Sequence, residues 1–477
     1  MATPIPANQA RFSIAEIAAA TGASLCTPAA SGAVVGVTTD SRGDVRGKLF
    51  VALRGERFDG HTHVAQALQQ GAAAALVESD VGQTASGAIL RVPSTLDALG
   101  AIAQLHRRRW AGRIVAIGGS AGKTTTRSAT SLLLEYLQPG TVHSSVGNLN
   151  NRIGVPMVLL GLTEKHQVGV IEVGTNQQGE VPQLEAICQP DVAVITLIAL
   201  EHTEGLGTLD DIEVEEGALL RRASTVIVNG DDERALRQGQ RSTAQRKLSY
   251  GRSPHCDYRV VERRLISPQR TRVSFARPGQ RETHSFDTRL LGMPGAQAAL
   301  AAISVADVLR ERAVPEAQLQ QFFAEVKIGE SGRLRAVELR DGSLLLDDTY
   351  NANPASVRAA IEVASELASL RRARLVLVLG EMRELGAVSA REHAGLNHAV
   401  VQGGAAVLLA VGGDAQSLAS AVKSTSILSE FVSNTEEAMQ RCSQLVEPGD
   451  VILCKGSRGV GLDRLVAHLI QQRGSQP

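Results

Sequence analysis

Residues 113–126, RIVAIGGSAGKTTT, constrain this chain more than any other segment. The apolar run 114–117 has the character of a buried strand. It breaks into Gly118-Gly-Ser-Ala-Gly122, and Lys123 and Thr124 open a helical pattern that runs to about Leu137. Strand, glycine-rich turn and helix N-terminus in that order make a phosphate-binding loop. Glycines let backbone N–H groups close around phosphate oxygens, the helix dipole favours anions, a lysine reaches terminal phosphates and a threonine hydroxyl ligates Mg²⁺. The loop is one residue shorter than the G-x-x-x-x-G-K-[ST] pattern, because position 117 is Ile. The pattern predicts a nucleoside triphosphate site whose cradle is Gly119, Ser120, Ala121, Gly122, Lys123, Thr124 and Thr125.

A chain of 477 residues implies about three domains. Hydrophobic residues make up 43% and charged residues 21%, the balance of a globular protein with ample core. Only 3% are aromatic, so Ala, Val and Leu must fill that core. The 49 basic and 49 acidic residues cancel, which argues against nucleic acid as a partner. No window approaches the length of a transmembrane span, and the first residues carry no charged-then-apolar leader, so a cytoplasmic protein without membrane insertion is expected. Cys26, Cys188, Cys256, Cys442 and Cys454 form no C-x-x-C pair and read as reduced, buried thiols.

Three segments separate by pattern. Residues 1–110 hold short strands (33–38, 48–53, 74–77) between Ala-rich helices, ending in the basic run His106-Arg-Arg-Arg-Trp110, read as a solvated helix end. Residues 111–328 alternate strands (168–173, 192–197, 225–228) with helices, as in a parallel α/β sheet, followed by a polar β-like insertion at 258–286. Residues 329–477 restart the alternation with strands at 343–346, 375–379, 406–411 and 451–454, an open doubly wound, Rossmann-like pattern. The expected architecture is α/β with three domains: a small N-terminal α/β unit, a central phosphate-loop sheet and a doubly wound C-terminal unit.

Glu172 lies in the otherwise apolar run 168–173, where a carboxylate is costly unless paired or bound to a metal. Beside a phosphate loop it reads as a Mg²⁺ ligand. His202 follows the next strand, at the end that faces the ligand crevice of a parallel sheet. Asp347-Asp348-Thr349 reads either as a ligand group or as the cap of a helix after Pro354. Asp59-Gly60-His61 reads as a turn, and Lys455-Gly-Ser-Arg458 as a ligand-facing loop or a plain one.

Gly119-Ser-Ala-Gly-Lys-Thr-Thr125, Gly147-Asn-Leu-Asn-Asn151, Glu172-Val-Gly-Thr-Asn176, His202-Thr-Glu204 and Asp348-Thr-Tyr-Asn-Ala-Asn-Pro354 together resemble the Mur ligase family, ATP-dependent amide-bond-forming enzymes of peptidoglycan synthesis. Asp40-Ser-Arg42, Gly47-Lys-Leu-Phe-Val-Ala-Leu53, Asp59-Gly-His61, Asn150-Asn-Arg-Ile-Gly-Val-Pro156 and Leu379-Gly-Glu-Met-Arg-Glu-Leu-Gly386 resemble the branch that adds D-alanyl-D-alanine to a UDP-N-acetylmuramoyl-tripeptide. The resemblance covers essentially the whole chain. It implies ATP and Mg²⁺ as cofactors, an acyl-phosphate intermediate and a monomer. It also implies residue roles. Lys123 would bind the β- and γ-phosphates. Thr124 and Glu172 would hold one Mg²⁺, and His202 with Glu172 a second. Asp348 would bind ribose, and Arg333 the phosphates after domain closure. Asp40, Ser41 and Arg42 would lie at the uridine diphosphate, and Asn148, Asn151 and Asn176 at the sugar–peptide part of the acceptor.

Two positions depart from the family pattern. Members usually carry a lysine downstream of the histidine, carbamylated by CO₂; here Glu216 takes that place. It reads either as a permanent carboxylate ligand or as part of a solvated acidic helix face with Asp210, Asp211, Glu213 and Glu215. In Gly295-Ala-Gln-Ala-Ala-Leu-Ala-Ala302, where relatives have G-x-H-N-x-x-N, Ala298 replaces the amide that meets adenine. The competing readings are a sibling ligase adding one amino acid, a folylpolyglutamate synthase, and a degenerate nucleotide-binding homologue.

Overall fold

Three sheets follow one another along the chain in the computed structural model, which describes residues 5–26, 33–55, 58–82, 87–280, 282–328 and 332–475. The first has the strand order Ser24–Leu25, Ala88–Arg91, Ala74–Val77, Leu49–Val51, Val37–Thr38, parallel except at Ser24–Leu25. The expected strand 33–38 is two strands in two sheets, because Ala33–Val35 pairs instead with Arg11–Ser13. Gly36 makes the break at φ +92°, where an added Cβ would sit 2.7 Å from the Asn8 carbonyl oxygen.

Helix Thr95–Arg109 joins this unit to the next. Ser94 caps it by accepting from the Asp97 N–H. Its basic last turn is not a solvated end, which corrects the sequence reading. Arg107 is largely buried, donating to the Cys188 carbonyl and pairing with Asp191 at 3.0 Å, and Arg109 pairs with Glu16 at 2.6 Å.

The second sheet has nine strands in the order Val142–Ser144, Val168–Glu172, Arg113–Gly118, Val192–Ile195, Thr225–Asn229, Arg246–Gly251, Tyr258–Ser267, Arg270–Ala276, Thr283–Thr288. The first seven run parallel. The expected β-like insertion supplies the last strands, an antiparallel extension of the same sheet. The phosphate-loop strand is flanked by Val168–Glu172 on one side and Val192–Ile195 on the other, so sequence-distant strand ends meet at its carboxyl end. In such sheets that is the place of the ligand crevice.

Helix Gly292–Arg310 packs its alanines (Ala296, Ala299, Ala302) with Ala129, Leu133 and Leu134 of helix Lys123–Leu137. This helix corrects one expectation: by length and composition it is long and apolar enough to cross a membrane. Its apolar window is 83% buried inside the protein, as befits a core helix. Its small side chains also show how a core poor in aromatic residues is filled at close range.

The third sheet orders Arg335–Glu338, Leu344–Asp348, Val451–Lys455, Leu375–Gly380, Ala405–Val411, Leu428–Val432, parallel except for the first strand. Cys188, Cys256, Cys442 and Cys454 are buried thiols, whereas Cys26 is exposed, contrary to expectation.

Candidate active site at the junction of two sheets

Gly119 turns the chain out of its strand at φ +117°, and an added Cβ would lie 2.8 Å from the Leu197 carbonyl oxygen. Only glycine fits so close to the neighbouring strand. Gly122, at φ +85°, then launches helix Lys123–Leu137. The sequence pattern assigns the whole loop to phosphate, and here the structure corrects it. The Gly119 N–H donates to Glu216 Oε2 at 2.8 Å and the Ser120 N–H to the Leu197 carbonyl at 2.6 Å. Ser120 Oγ also exchanges hydrogen bonds with both backbone groups of Ala199. The N–H groups of Ala121, Gly122, Lys123, Thr124 and Thr125 carry no hydrogen bond among the described residues, so the anion cradle narrows to that first helical turn.

Glu172 is the register partner of Ile117 at the end of the adjacent strand and is 1% exposed. Its Oε1 accepts from Thr124 Oγ1 at 3.1 Å and from Asn150 Nδ2 at 2.9 Å. Oε2 has no hydrogen bond, and the Arg127 guanidinium stands 3.5 Å away. Sequence reasoning passes over Asn150, although it lies in the same short loop as Asn148 and Asn151. Asn151 is expected at the acceptor, but its Oδ1 accepts from the Ile153 and Gly154 N–H groups and so caps helix Gly154–Leu160. Asn148 shares that loop, and Asn176 is exposed in the turn after Glu172, its N–H donating to Glu180.

Glu216 is fully buried, so the solvated-face reading is excluded; its neighbours Asp210 and Glu213 instead bind Arg234. Glu201, 4% exposed, lies 3.8 Å from Lys123 Nζ and is a second residue that sequence reasoning misses. Its signal is an acid at the strand end, overshadowed by the adjacent His202. Burial alone would lower the Lys123 pKa, but Glu201, Glu216 and Glu172 outweigh it and raise it. Burial pushes the Glu201 carboxyl up to about 8 and Glu216 upward too, against the attraction of Lys123. Lys123 Nζ meanwhile folds back onto the Gly119 carbonyl.

His202 sits in the left-handed region at φ 45°. The resemblance pairs it with Glu172, but its ion pairs are to Glu384, through Nδ1, and to Glu201, at 3.9 Å from Nε2. No group of three or more His, Cys, Asp or Glu able to hold a metal forms among the described residues, so Glu172, His202 and Glu216 are not one preassembled cluster. The donors still suit Mg²⁺. Glu172 Oε2, Glu201 Oε1 and Glu216 Oε1 are buried oxygens without hydrogen-bond partners. Mg²⁺ takes one or two carboxylates and completes its shell with phosphate oxygens and water.

The third sheet closes the site from the other side. A cavity of about 660 Å³ runs from Ser120, Ala121, Gly122 and Thr125 to Arg333, Asp348 and Lys455. Its volume lies within the range of small-molecule sites. Asp348 and Lys455 are register partners on adjacent strands and pair at 2.7 Å, while Asp348 Oδ1 accepts from the Leu334 N–H. Asp348 does not cap the following helix: Asn353 does, through the Ser356 N–H, and its Nδ2 donates to the Ser120 carbonyl at 3.1 Å. Arg333 lies over the Tyr350 ring at 4.0 Å, and its Nε has no hydrogen bond. Ala298 lines the cavity as expected, but the neighbouring Gln297 returns an amide to it, held by Asp231 at 2.8 Å.

Two expected positions lie elsewhere. Asp40 and Arg42 form an exposed bidentate pair that holds the Asp40 carboxyl at about 2, with Ser41 buried between them. Asp59 and His61 are a turn, with His61 Nε2 accepting from the Glu78 N–H.

Sequence profiles described as the Mur ligase family catalytic domain, the Mur ligase middle domain and the Mur ligase glutamate ligase domain match residues 33–107, 117–306 and 332–458. The UDP-N-acetylmuramoyl-tripeptide–D-alanyl-D-alanine ligase of Escherichia coli K12 is 34% identical over 451 residues, covering 92% of this chain and 94% of that protein. The chain belongs to the Mur ligase family. The Bacillus subtilis ligase of the same name is 29% identical over 91% of this chain and 93% of its own. Among solved structures, MurF from Acinetobacter baumannii superposes with a TM-score of 0.84 at 30% identity, covering 98% of this chain and all of that one. MurF from Thermotoga maritima in complex with ADP shares the fold, with a TM-score of 0.79 at 24% identity over 91% and 97% of the two chains. This Mur ligase is therefore an ATP-dependent ligase of peptidoglycan precursor synthesis.

Proposed function

We propose that this Mur ligase joins D-alanyl-D-alanine to UDP-N-acetylmuramoyl-tripeptide in the cytoplasm, as a monomer of three units spanning residues 1–110, 111–328 and 329–477. The observation that carries the reading is the single cavity in which a phosphate loop meets Arg333, Asp348 and Lys455 from the third sheet. The relatives at 34% and 29% identity support the choice of substrates by name.

The acceptor carboxylate attacks the γ-phosphorus of ATP; the new P–O bond forms as the bond to ADP breaks. The dipeptide amine then attacks the acyl carbon, a C–N bond forms, the C–O bond to phosphate breaks, and the amine proton leaves to solvent. Such a reaction needs positioning and charge neutralisation more than covalent help from the protein. Lys123 and the free N–H groups of Ala121 to Thr125 hold the transferring phosphates. Arg333 approaches them from the opposite wall, and Asp348 faces the ribose. Thr124 and Glu172 are suited to hold Mg²⁺, with Glu216 and His202 available to a second ion on the acceptor side. When bound, Mg²⁺ offsets the charge of the phosphate oxygens. Asp40, Ser41 and Arg42 serve the uridine diphosphate end, and Asn148 and Asn176 the sugar and peptide.

A phosphate-release assay with the UDP-tripeptide and a panel of amines tests the reading. Release with D-alanyl-D-alanine alone is expected. Release with single amino acids would point to a sibling ligase, and release with none to a nucleotide-binding homologue.

A further inference from the structure

A second, smaller cavity of about 200 Å³ opens beside the nucleotide-sized one, sharing Asn351, Ala352 and Asn353 with it. One wall is Glu201 and His202 of the central unit; the other is formed by Arg383, Glu384, Arg458 and Gly459 of the third. The volume falls below the drug-sized range and suits a ligand of two small residues.

Its chemistry is that of a zwitterion site. Glu201 lies 3.8 Å from Lys123, so this cavity abuts the terminal-phosphate end of the loop. Arg383 is set by its backbone N–H donating to Ser457 Oγ at 2.9 Å and by its Nε donating to Glu381 at 3.2 Å. Neither of its Nη atoms has a hydrogen-bond partner among the described residues. Gly459 leaves room for this guanidinium, since a Cβ there would collide with it. The Arg458 guanidinium rests 5.2 Å from the Tyr350 ring centre and has no hydrogen bond or ion pair among the described residues. Two guanidiniums with free donors therefore line a small cleft whose other wall reaches the phosphate-loop lysine. Guanidinium forks match carboxylate geometry.

We infer that this cleft seats the incoming amine substrate, with Arg383 and Arg458 binding its terminal carboxylate and its amino group directed towards the Lys123 end. The inference rests on the ligase reading and extends it by assigning the amine subsite. The carboxylate anchor selects a free C-terminus and fixes the distance from it to the nucleophile, so an amine without that carboxylate is a poor substrate.

Steady-state kinetics of the full chain test this with D-alanyl-D-alanine and its C-terminal amide. Wild-type protein should show a KM for the amide roughly 10- to 100-fold above that for the dipeptide, the range expected on losing hydrogen bonds to a charged group. Arg458→Ala and Arg383→Ala should raise the dipeptide KM by a similar factor, leave the ATP KM unchanged and abolish discrimination against the amide. Arg458→Lys should recover part of it. The wild-type comparison needs no variant, so a misfolded mutant does not blunt the test. Equal KM values for dipeptide and amide, or an Arg458→Ala effect on ATP rather than dipeptide, would overturn the assignment. No turnover of the dipeptide by wild-type protein would overturn the ligase reading itself.

Discussion

Glu216 and Glu201 give this site a character that a phosphate loop alone does not require. Both carboxylates are buried within reach of Lys123, and Glu216 also accepts from the Gly119 N–H. A permanent carboxylate at 216 needs no CO₂ to acquire its charge. Activity should therefore be indifferent to bicarbonate removal, measured as phosphate release in degassed and bicarbonate-supplemented buffer. Glu216→Ala should lower kcat by about 10²–10³, the scale for removing one preorganised charge-stabilising group. Activity that collapses without bicarbonate and returns with it would refute this role. Glu201 carries a pH signature. Its carboxyl is raised from 4.5 to about 8 in the folded protein, chiefly by burial. A raised acid favours folding below its unfolded pKa and loses that contribution as pH climbs through its folded value. Thermal stability of the nucleotide-free protein should thus fall between about pH 5 and 8, and Glu201→Gln should flatten that slope. An unchanged slope in the variant would show that Glu201 ionises normally.

At the scale of elements, the loop leading into helix Pro354–Arg371 does two jobs. Asn353 caps that helix and reaches across to the Ser120 carbonyl. Asn353→Ala should cost about 1 kcal/mol of stability, as a lost cap does, and should also raise the KM for ATP. A cap serving only the helix would change denaturation and leave KM untouched. The strand–loop–helix at 113–137 is legible in the sequence because its chemistry is local: apolar run, glycines, lysine, threonine. Glu172 is legible because a charge in an apolar strand needs a reason. Asn150, Glu201 and Gln297 are not. Each owes its place to tertiary register, beside Glu172, Lys123 and Asp231 respectively, and no spacing along the chain encodes those neighbours. Asn151 misleads for the converse reason, since an Asn before a helix serves equally as a cap or as a ligand, and here it is the cap.

For the molecule as a whole, the site exists only where the second and third sheets meet. His202 pairs with Glu384, Thr203 Oγ1 donates to the Leu385 carbonyl at 2.8 Å, and Asn353 holds the phosphate loop, all across one junction. Ligands bound at this junction contact both units, so their binding and domain closure are coupled. The central claim is that the γ-phosphate is passed to the acceptor carboxylate within this closed junction before the amine enters. Carrying ¹⁸O in the terminal carboxylate of the UDP-tripeptide and following it by mass spectrometry tests that claim most directly. One labelled oxygen should appear in each inorganic phosphate released on ligation to D-alanyl-D-alanine, with none in the nucleotide. Label in AMP, or phosphate free of label, would contradict it.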